Sequence, residues 1–277
     1  MQLLIADSGS TKTEWTFIED RIVSHSVFTE GINPNQADED AIATMLHKSE
    51  LRKYRADKIH FYGAGCGSDR GKAVLTEALG AIFPSAQTEI ETDIIGAARA
   101  LSAGEKSIVG ILGTGASSCV FDGTKILEQR PSLGFILGDE GSGAVLGKMF
   151  IRKLLYGELP DALLKSFHSE FPIDKDAIIK RVYRDPYPNR FLAAFGEFIG
   201  RHRNQASVNE VIRENFTGFI RSHLSGYKGA KEMPIRLTGS IAFHFREELN
   251  GLLRWNGFQE AECVQSPMEG LVRYHTH

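Results

Sequence analysis

A carboxylate and a lysine flank a glycine turn near the start of the chain. Asp7 ends an apolar run and precedes Gly9-Ser10-Thr11-Lys12-Thr13. Glycine has no Cβ, so successive backbone N–H groups can converge on an anion there, and the hydroxyl groups add donors. Lys12 offers a positive charge to a phosphate oxygen, and Asp7 offers an oxygen to Mg²⁺, in part through water. The segment is compatible with phosphate binding, but an ordinary hairpin turn uses the same residue types.

A second turn of the same kind follows about a hundred residues later. Gly113-Thr114-Gly115-Ala116 joins the apolar run 107–112 to a returning run that begins at Ser117. One such turn alone favours an ordinary hairpin. Two of them in equivalent positions, the first with an Asp and a Lys, favour a nucleotide site built from two phosphate-binding turns.

Asp93 stands between a strand pattern over 87–92 and an alanine-rich helical pattern. An aspartate there can simply cap the helix. A carboxylate at the carboxyl end of a strand also points toward the crevice where α/β proteins bind ligands. There it can accept the proton of a hydroxyl group that attacks a γ-phosphate. Position alone leaves both interpretations open.

The densest feature is Leu137-Gly138-Asp139-Glu140-Gly141-Ser142-Gly143, which opens a helical pattern. Capping accounts for one of its two carboxylates. Two carboxylates among the glycines, with Gly134 just before them, favour close approach of a ligand to the backbone. Carboxylates are natural acceptors for sugar hydroxyl groups, so Asp139 is a predicted sugar ligand.

Two weaker features need the context of the others. Gly239-Ser240 joins a strand pattern to a helical one and could let an adenine or a ribose lie against the backbone. Asn33, in the loop after the third predicted strand, has the composition of a turn residue. Familiar alternatives fail, because the chain has neither the P-loop pattern nor the dinucleotide pattern G-x-G-x-x-G.

The elements that must position these residues alternate between strand and helix, which is typical of an α/β fold. Spacing predicts strands at 2–6, 13–18, 22–28, 58–62, 87–92, 107–112, 117–121, 124–129 and 234–238. It predicts helices at 36–53, 69–83, from Asp93, across most of 139–225, from 241 and at 267–275. The pattern restarts near 101–106, so two related domains are expected, 1–103 and 104–277, the second with a helical insertion. Spacing does not show whether the last helix packs back on the first domain.

Bulk composition excludes several classes of protein. The 277 residues are 42% hydrophobic and 24% charged, with a net charge of −3, so nucleic acid and membrane partners are not expected. The start lacks a basic leader region, and the three cysteines are far apart, which predicts a cytoplasmic protein without disulfides or zinc. The terminal Tyr274-His275-Thr276-His277 is interpreted as a mobile polar tail and not as a metal site.

In this order the motifs resemble the N-acetylglucosamine kinase branch of the BadF/BadG/BcrA/BcrD ATPase family, within the actin-like sugar kinase superfamily. The resemblance runs end to end. It is carried by Asp7–Thr13, Gly31–Asn33, Thr92-Asp93, Gly113–Gly115, Gly138–Ser142, Tyr183-Arg184-Asp185 and Gly239-Ser240.

The resemblance implies two ribonuclease H-like domains around a cleft for ATP, Mg²⁺ and a sugar. It implies that Asp93 is the catalytic base and that Asn33, Thr114 and Asp139 bind sugar hydroxyl groups, with Ser117 and Gly134 near the sugar. Gly9, Ser10, Thr11, Lys12 and Thr13, with Gly113 to Gly115, would bind the phosphates, and Gly239 and Ser240 the adenosine. The expected reaction makes the 6-phosphate of N-acetylglucosamine, and a homodimer is left open.

The chain departs from the family at two positions. Ser117 replaces an asparagine, and Leu133 replaces a tryptophan before Gly134. Glucosamine, another hexose derivative or a cell-wall amino sugar therefore stay open as substrates. Two other classes stay open as well, an activator ATPase of the 2-hydroxyacyl-CoA dehydratases and a nucleotide-switched scaffold or sugar sensor.

Overall fold

The computed structural model describes residues 2–35 and 37–276, in which ten strands form two sheets. The strands are β1 (Gln2–Ser8), β2 (Lys12–Glu19), β3 (Ile22–Glu30), β4 (Lys58–Gly63), β5 (Gln87–Thr92), β6 (Ser107–Leu112), β7 (Ala116–Phe121), β8 (Ile126–Gln129), β9 (Ile235–Thr238) and β10 (Ala261–Val264).

The helices lie between and after these strands. They are α1 (Glu39–Lys48), α2 (Asp69–Ile82), α3 (Asp93–Leu101), α4 (Gly134–Leu137), α5 (Gly143–Leu155), α6 (Asp161–Glu170), α7 (Lys175–Tyr183), α8 (Pro188–Ala193), α9 (Gly196–Arg201), α10 (Ala206–Phe219), α11 (Ser240–His244), α12 (Arg246–Trp255) and α13 (Met268–Thr276). A 3₁₀ turn (Glu50–Lys53) follows α1, and a π-helical turn (Ile220–Leu224) follows α10. None of the described helices is long and apolar enough to cross a membrane.

The two sheets have the same strand order, β3-β2-β1-β4-β5 and β8-β7-β6-β9-β10. In the first sheet β1 pairs antiparallel with β2 and parallel with β4, and β4 pairs parallel with β5. Each order places a meander of three strands beside two later strands of the same half. The predicted α/β fold class with two related halves is confirmed.

The chain forms two compact units, one of residues 1–109, 121–127 and 266–277, the other of residues 110–120 and 128–265. The first sheet lies in the first unit, and so does α13, which packs against α3 and β1. The division predicted at residue 103 stays a prediction.

The two faces of the first sheet are covered differently. One face packs an apolar cluster from β1, β2, β4 and β5 against α1 and α2, with Trp15, Phe61 and Leu75 fully buried. The other face packs a smaller cluster, which includes Ile5 and Tyr62, against α3 and α13. Alternation along β1 places Asp7 on this second face, together with Leu3 and Ile5.

Two local expectations were wrong, and one strand was missed. The helix predicted over 36–53 ends at Lys48, because Ser49 is extended and its side chain caps the 3₁₀ turn that follows; Gln36 lies outside the described residues. Strand β10 was not predicted. The tail is not mobile up to Thr276, since α13 includes His275 and its side chain is partly buried; His277 lies outside the described residues.

Candidate functional site

In the first unit the carboxyl ends of β1, β4 and β5 form one edge of the sheet. Ser8 pairs with Gly63, and Gly63 pairs with Thr92, so the residue after each strand emerges at the same level. Asp93 follows Thr92 directly as the first residue of α3, and Thr92 caps that helix by accepting from the Ile95 N–H. Thr92 is therefore the N-cap residue of α3, and the Asp93 carboxylate accepts from the Ile94 N–H at 2.9 Å in the first turn.

The first glycine turn is fixed by hydrogen bonds at the end of this hairpin. The Gly9 N–H donates to the Lys12 carbonyl at 3.0 Å, and the Ser8 hydroxyl is 2.8 Å from that of Thr13. Thr13 is fully buried, and its hydroxyl also donates to the Glu30 carbonyl. Among the predicted phosphate ligands, Thr13 thus braces the turn from inside.

The loop after β3 lies directly against this turn. The Ile32 N–H donates to the Ser8 hydroxyl at 3.0 Å. A Cβ added to Gly31 would lie 2.3 Å from the Gly9 carbonyl oxygen, so only glycine fits where the two backbones meet. The loop that carries Asn33 is joined to the turn at Gly9 in this way, through Gly31 and Ile32.

Asn33 and Lys12 reach different neighbours of the turn. The Asn33 Oδ1 accepts from the Asn35 N–H at 2.9 Å. A Cβ added to Gly65 would lie 2.3 Å from the same oxygen. The Lys12 ammonium lies 5.0 Å from the ring centre of Phe28. Lys12 is exposed, so its charge is available to a ligand at the turn.

The carboxylates at this edge affect one another. The pKa of Asp7 is raised to about 7, mainly by burial and then by the charges of Asp93 and Glu14, against the charge of Lys12, which lowers it. Burial also raises the pKa of Asp93, against hydrogen bonds from backbone N–H groups that lower it. Three carboxyl groups, those of Asp7, Asp93 and Glu14, therefore affect one another at this edge, and a bound cation would favour their charged forms.

Glu14 is a site residue that the sequence analysis missed. It lies opposite Asp7 in the hairpin and is one of the charges that raise the Asp7 pKa. Its carboxylate accepts from the Ser266 hydroxyl at 3.1 Å. The available signal was the register of the hairpin, because a turn over 9–12 places position 14 opposite position 7.

The second unit assembles its own three motifs. The Gly143 N–H donates to the Gly113 carbonyl at 2.8 Å, and the Ala144 N–H donates to the Thr114 carbonyl at 3.1 Å. The start of α5 is therefore joined to the second glycine turn. Gly239 has φ +108°, and a Cβ on it would lie 2.5 Å from the Leu112 carbonyl oxygen. The start of α11, with Ser240, thus packs on the same turn.

Asp139 lies beside this turn in a conformation that is rare for residues other than glycine. Its φ is +59°, and a Cβ on Gly115 would lie 3.1 Å from its Oδ2. Burial raises the pKa of Asp139 to about 6, although hydrogen bonds from the backbones of Ala116 and Gly134 lower it. Strained backbone of this kind concentrates at functional sites. Glu140 instead points toward α10, where a Cβ on Gly218 would lie 3.1 Å from it.

The two remaining predicted neighbours of the sugar are Ser117 and Gly134. The backbones of Ala116, next to Ser117, and of Gly134 form hydrogen bonds to Asp139. Ser117 is the second residue of β7, directly after the glycine turn. Gly134 opens α4 with φ +71°, and a Cβ on it would meet no atom within 4 Å. Three apolar side chains around it, Leu133, Ile136 and Leu137, are exposed by 53%, 75% and 75%.

Both turns leave room for a phosphate. A Cβ on Gly113 would meet no atom within 4 Å, and one on Gly9 would meet only the Lys12 carbonyl oxygen at 3.8 Å. Packing within the protein therefore does not require glycine at these positions, and the space beside both of them is open. In the described residues no group of three or more His, Cys, Asp or Glu side chains is arranged to hold a metal. The strand edge at Asp7 suits Mg²⁺ held by one carboxylate, water and phosphate oxygens.

Comparison with known proteins gives structural relatives over the whole chain. A candidate N-acetylglucosamine kinase of Porphyromonas gingivalis is 40% identical, with a TM-score of 0.92, covering 99% of this chain and 98% of its own. One of Chromobacterium violaceum is 17% identical with a TM-score of 0.74 over 99% and 98% of the two chains. A ROK family glucokinase of Streptomyces griseus, bound to glucose and AMPPNP, is 14% identical with a TM-score of 0.58 over 99% and 98%. No family model and no curated protein matches the chain.

Proposed function

We propose a function from the premise that the chain belongs to the N-acetylglucosamine kinase-like family of the Porphyromonas gingivalis protein. The chain is an ATP-dependent sugar kinase. It transfers the γ-phosphoryl group to a hydroxyl group of an amino sugar, with N-acetylglucosamine as the expected substrate and its 6-phosphate as the product. The observation that carries the proposal is the placement of Asp93, with a raised pKa, at the strand edge that also bears Asp7 and the first glycine turn.

Asp93 is the proposed general base. Its carboxylate accepts the proton of the sugar hydroxyl as that oxygen attacks the γ-phosphorus, and the bond to the leaving ADP oxygen breaks. Desolvation raises its pKa, which makes it a stronger base than an exposed aspartate. The Asp93 carboxylate accepts from the backbone N–H groups of Ile94 and of Asp93 itself, and its remaining lone pairs serve this role.

ATP and Mg²⁺ are the proposed cofactors. The backbone N–H groups and hydroxyl groups of the two glycine turns bind the phosphates, and Lys12 adds a positive charge. Asp7 holds the metal ion in part through water. Bound Mg²⁺ neutralises charge on the phosphates, and the carboxyl groups around Asp7 support a cation at this edge.

Asn33, Thr114 and Asp139 are the proposed ligands of the sugar hydroxyl groups. Asp139 offers a partly desolvated carboxylate, which accepts hydrogen bonds from hydroxyl donors. Ser117 and Gly134 lie close to Asp139 and are the proposed neighbours of the substituent on the sugar. Because Ser117 and Leu133 depart from the family, glucosamine or another hexose derivative is the alternative substrate.

A cytoplasmic location and a homodimer also remain proposals. All three cysteines are free thiols in the structure, and two of them, Cys66 and Cys119, are buried. Burial raises the pKa of each of these two thiols to about 12, which keeps them protonated and unreactive. This chemistry suits a reducing compartment.

The proposal is tested by ADP release with MgATP and a panel of N-acetylglucosamine, glucosamine, glucose and N-acetylmannosamine. Turnover is expected on N-acetylglucosamine above the other sugars. Turnover on another sugar would keep the reaction and replace the substrate. No turnover on any sugar, with ATP still bound, would overturn the kinase function in favour of a nucleotide switch or an activator ATPase.

The role of Asp93 is tested in the same assay with Asp93→Asn. We expect kcat to fall at least ~10²-fold, the lower end of the contribution of a positioned base. Asp69→Asn is a matched control, because Asp69 is also the first residue of a helix in the first unit but lies exposed. An Asp93→Asn variant as active as Asp69→Asn would remove Asp93 from the mechanism.

A further inference from the structure

Helix α3, which carries Asp93, has few large side chains to hold it. Its buried residues are Ile94 and four small ones, Gly96, Ala97, Ala98 and Ala100. Large side chains normally fix a helix by interdigitating with their neighbours. Without them, the position of α3 depends on backbone contacts and on whatever polar groups restrain it.

The backbone contacts are close at two points. A Cβ on Gly96 would lie 2.8 Å from the Cβ of Tyr62 on β4. A Cβ on Gly270 of α13 would lie 2.3 Å from the Ala100 carbonyl oxygen. Helix α3 is thus held between the sheet and α13, through its own Gly96 against Tyr62 and through its Ala100 carbonyl group against Gly270 of α13.

A chain of hydrogen bonds restrains the last turn of α3. Arg99 Nη1 donates to Glu89 Oε1 on β5 and to the Tyr62 hydroxyl on β4, both at 2.9 Å. The Tyr62 oxygen already accepts from Arg99, so its own proton is directed to His275 Nε2 of α13, at 2.7 Å. One path therefore links β5, α3, β4 and α13.

His275 is suited to end this path as an acceptor. Its ring stacks on that of His60, with centres 3.7 Å apart, and Arg99 lies 5.4 Å from the ring centre of Tyr274 beside it. His60 Nδ1 lies 3.1 Å from Glu89 Oε2, which closes the cluster. In its Nδ1–H tautomer the neutral imidazole carries a lone pair at Nε2, which accepts the Tyr62 proton.

We propose that α13 positions the catalytic base, with Tyr62 as the central positioning residue. The Glu89–Arg99–Tyr62–His275 path and the Gly270 contact fix the far end of α3, and the rigid helix transmits that position to Asp93. Asp93 and Arg99 are six residues apart, about 9 Å along a helix. This inference rests on the proposed function, because it assumes that Asp93 acts on the sugar hydroxyl.

The first test is Tyr62→Phe, which removes the central hydroxyl and keeps the ring against Gly96. We expect kcat to fall about tenfold, because small displacements of a catalytic group are costly, while KM for ATP and for the sugar stays within about twofold. Thr16→Val is the matched control. Thr16 is also buried in the first sheet, but its hydroxyl is paired with Ser26 of β3 and not with a residue of the Glu89–Arg99–Tyr62–His275 path. Equal kcat values for the two variants would overturn the inference.

A double-mutant cycle separates this inference from the proposed function. If Tyr62 acts through Asp93, Tyr62→Phe lowers kcat in the native background and leaves it unchanged in the Asp93→Asn background. The same fold loss in both backgrounds would overturn the positioning role. Full activity of Asp93→Asn alone would overturn the proposed base instead.

Two variants of His275 guard against a simple loss of folding. His275→Gln keeps an acceptor for the Tyr62 hydroxyl, and His275→Phe keeps the stacking on His60 but removes the acceptor. We expect His275→Phe to share the kcat loss of Tyr62→Phe and His275→Gln to recover most of it, with both proteins folded by circular dichroism. Equal kcat for the glutamine and phenylalanine variants would contradict the hydrogen-bonded path.

Discussion

The two faces of the first sheet are built from different kinds of contact. The face under α1 and α2 is closed by hydrocarbon, with Phe61, Leu75 and Leu79 all fully buried. The face under α3 and α13 starts apolar and becomes polar toward the strand ends, where Asp7 and its neighbours lie. Both faces share the same five strands, so the difference lies only in which side chains alternate to each side.

This difference indicates that the two faces contribute in different ways to the stability of the fold and to the position of α3. Apolar contacts are non-directional, and a core of the right volume tolerates small shifts. Hydrogen bonds lose strength steeply with distance and angle, so the Arg99–Tyr62–His275 path holds α3 in one position. The first face therefore contributes free energy of folding, and the second also fixes the geometry of the proposed site.

The largest effect is expected from shortening one fully buried leucine on each face. Leu79→Ala of α2 and Leu271→Ala of α13 should each lower the free energy of unfolding by about 2–5 kcal/mol, measured by urea denaturation. Only Leu271→Ala should also lower kcat of the folded enzyme, because α13 packs against α3. Equal kcat for the two variants would break the comparison.

The next largest effect is expected from lowering the pH, which should reduce the free energy of unfolding. Burial lowers the pKa of His60 to about 4 and that of His275 to about 3, although the Glu89 carboxylate beside both rings raises them and Lys58 and Arg99 lower them. The unfolded chain binds protons near pH 6.5, so the neutral rings contribute fully above that pH. Their contribution is lost as the pH falls from 6.5 toward 4.

Between pH 7 and pH 5 this loss amounts to about 2 kcal/mol for each histidine. It is measured from urea denaturation at several pH values. Replacing both rings, by His60→Gln with His275→Gln, should remove both contributions from the pH dependence of the free energy of unfolding, about 2 kcal/mol for each ring. An unchanged slope in the double variant would mean that the polar face does not hold neutral histidines.

The sequence predicted the parts of the site that are local in the chain. Asp93 and the turn at Gly113 were predicted from the residues next to them, because strand ends and glycine turns have a characteristic local composition. The shared strand order followed from two similar segments a hundred residues apart. The loop at Gly31 was found through family resemblance, and its contact with Gly9 needed the structure.

The contacts that hold α3 could not be predicted in this way. Tyr62 and His275 are 213 positions apart, and no spacing rule pairs them. Strand β10 was missed because Ala261-Glu262-Cys263-Val264 has weak strand propensity and pairs only through β9. Both were missed for the same reason. The hydrogen bond and the strand are determined by contacts between distant parts of the chain, and local composition does not indicate them.

The smallest effect is expected at the entry of α13. The Ser266 hydroxyl accepts from the Met268 N–H at 3.2 Å and donates to the Glu14 carboxylate at 3.1 Å, so it caps the helix and ties it to the hairpin of Asp7. Ser266→Ala should lower the free energy of unfolding by about 1 kcal/mol, as for loss of a helix cap. Ser266→Thr keeps the hydroxyl and should restore most of it in the same urea titration. If the alanine variant instead matched the native protein in stability and in kcat, the polar face would be held by Tyr62 and His275 alone, and Glu14 would need no partner from α13.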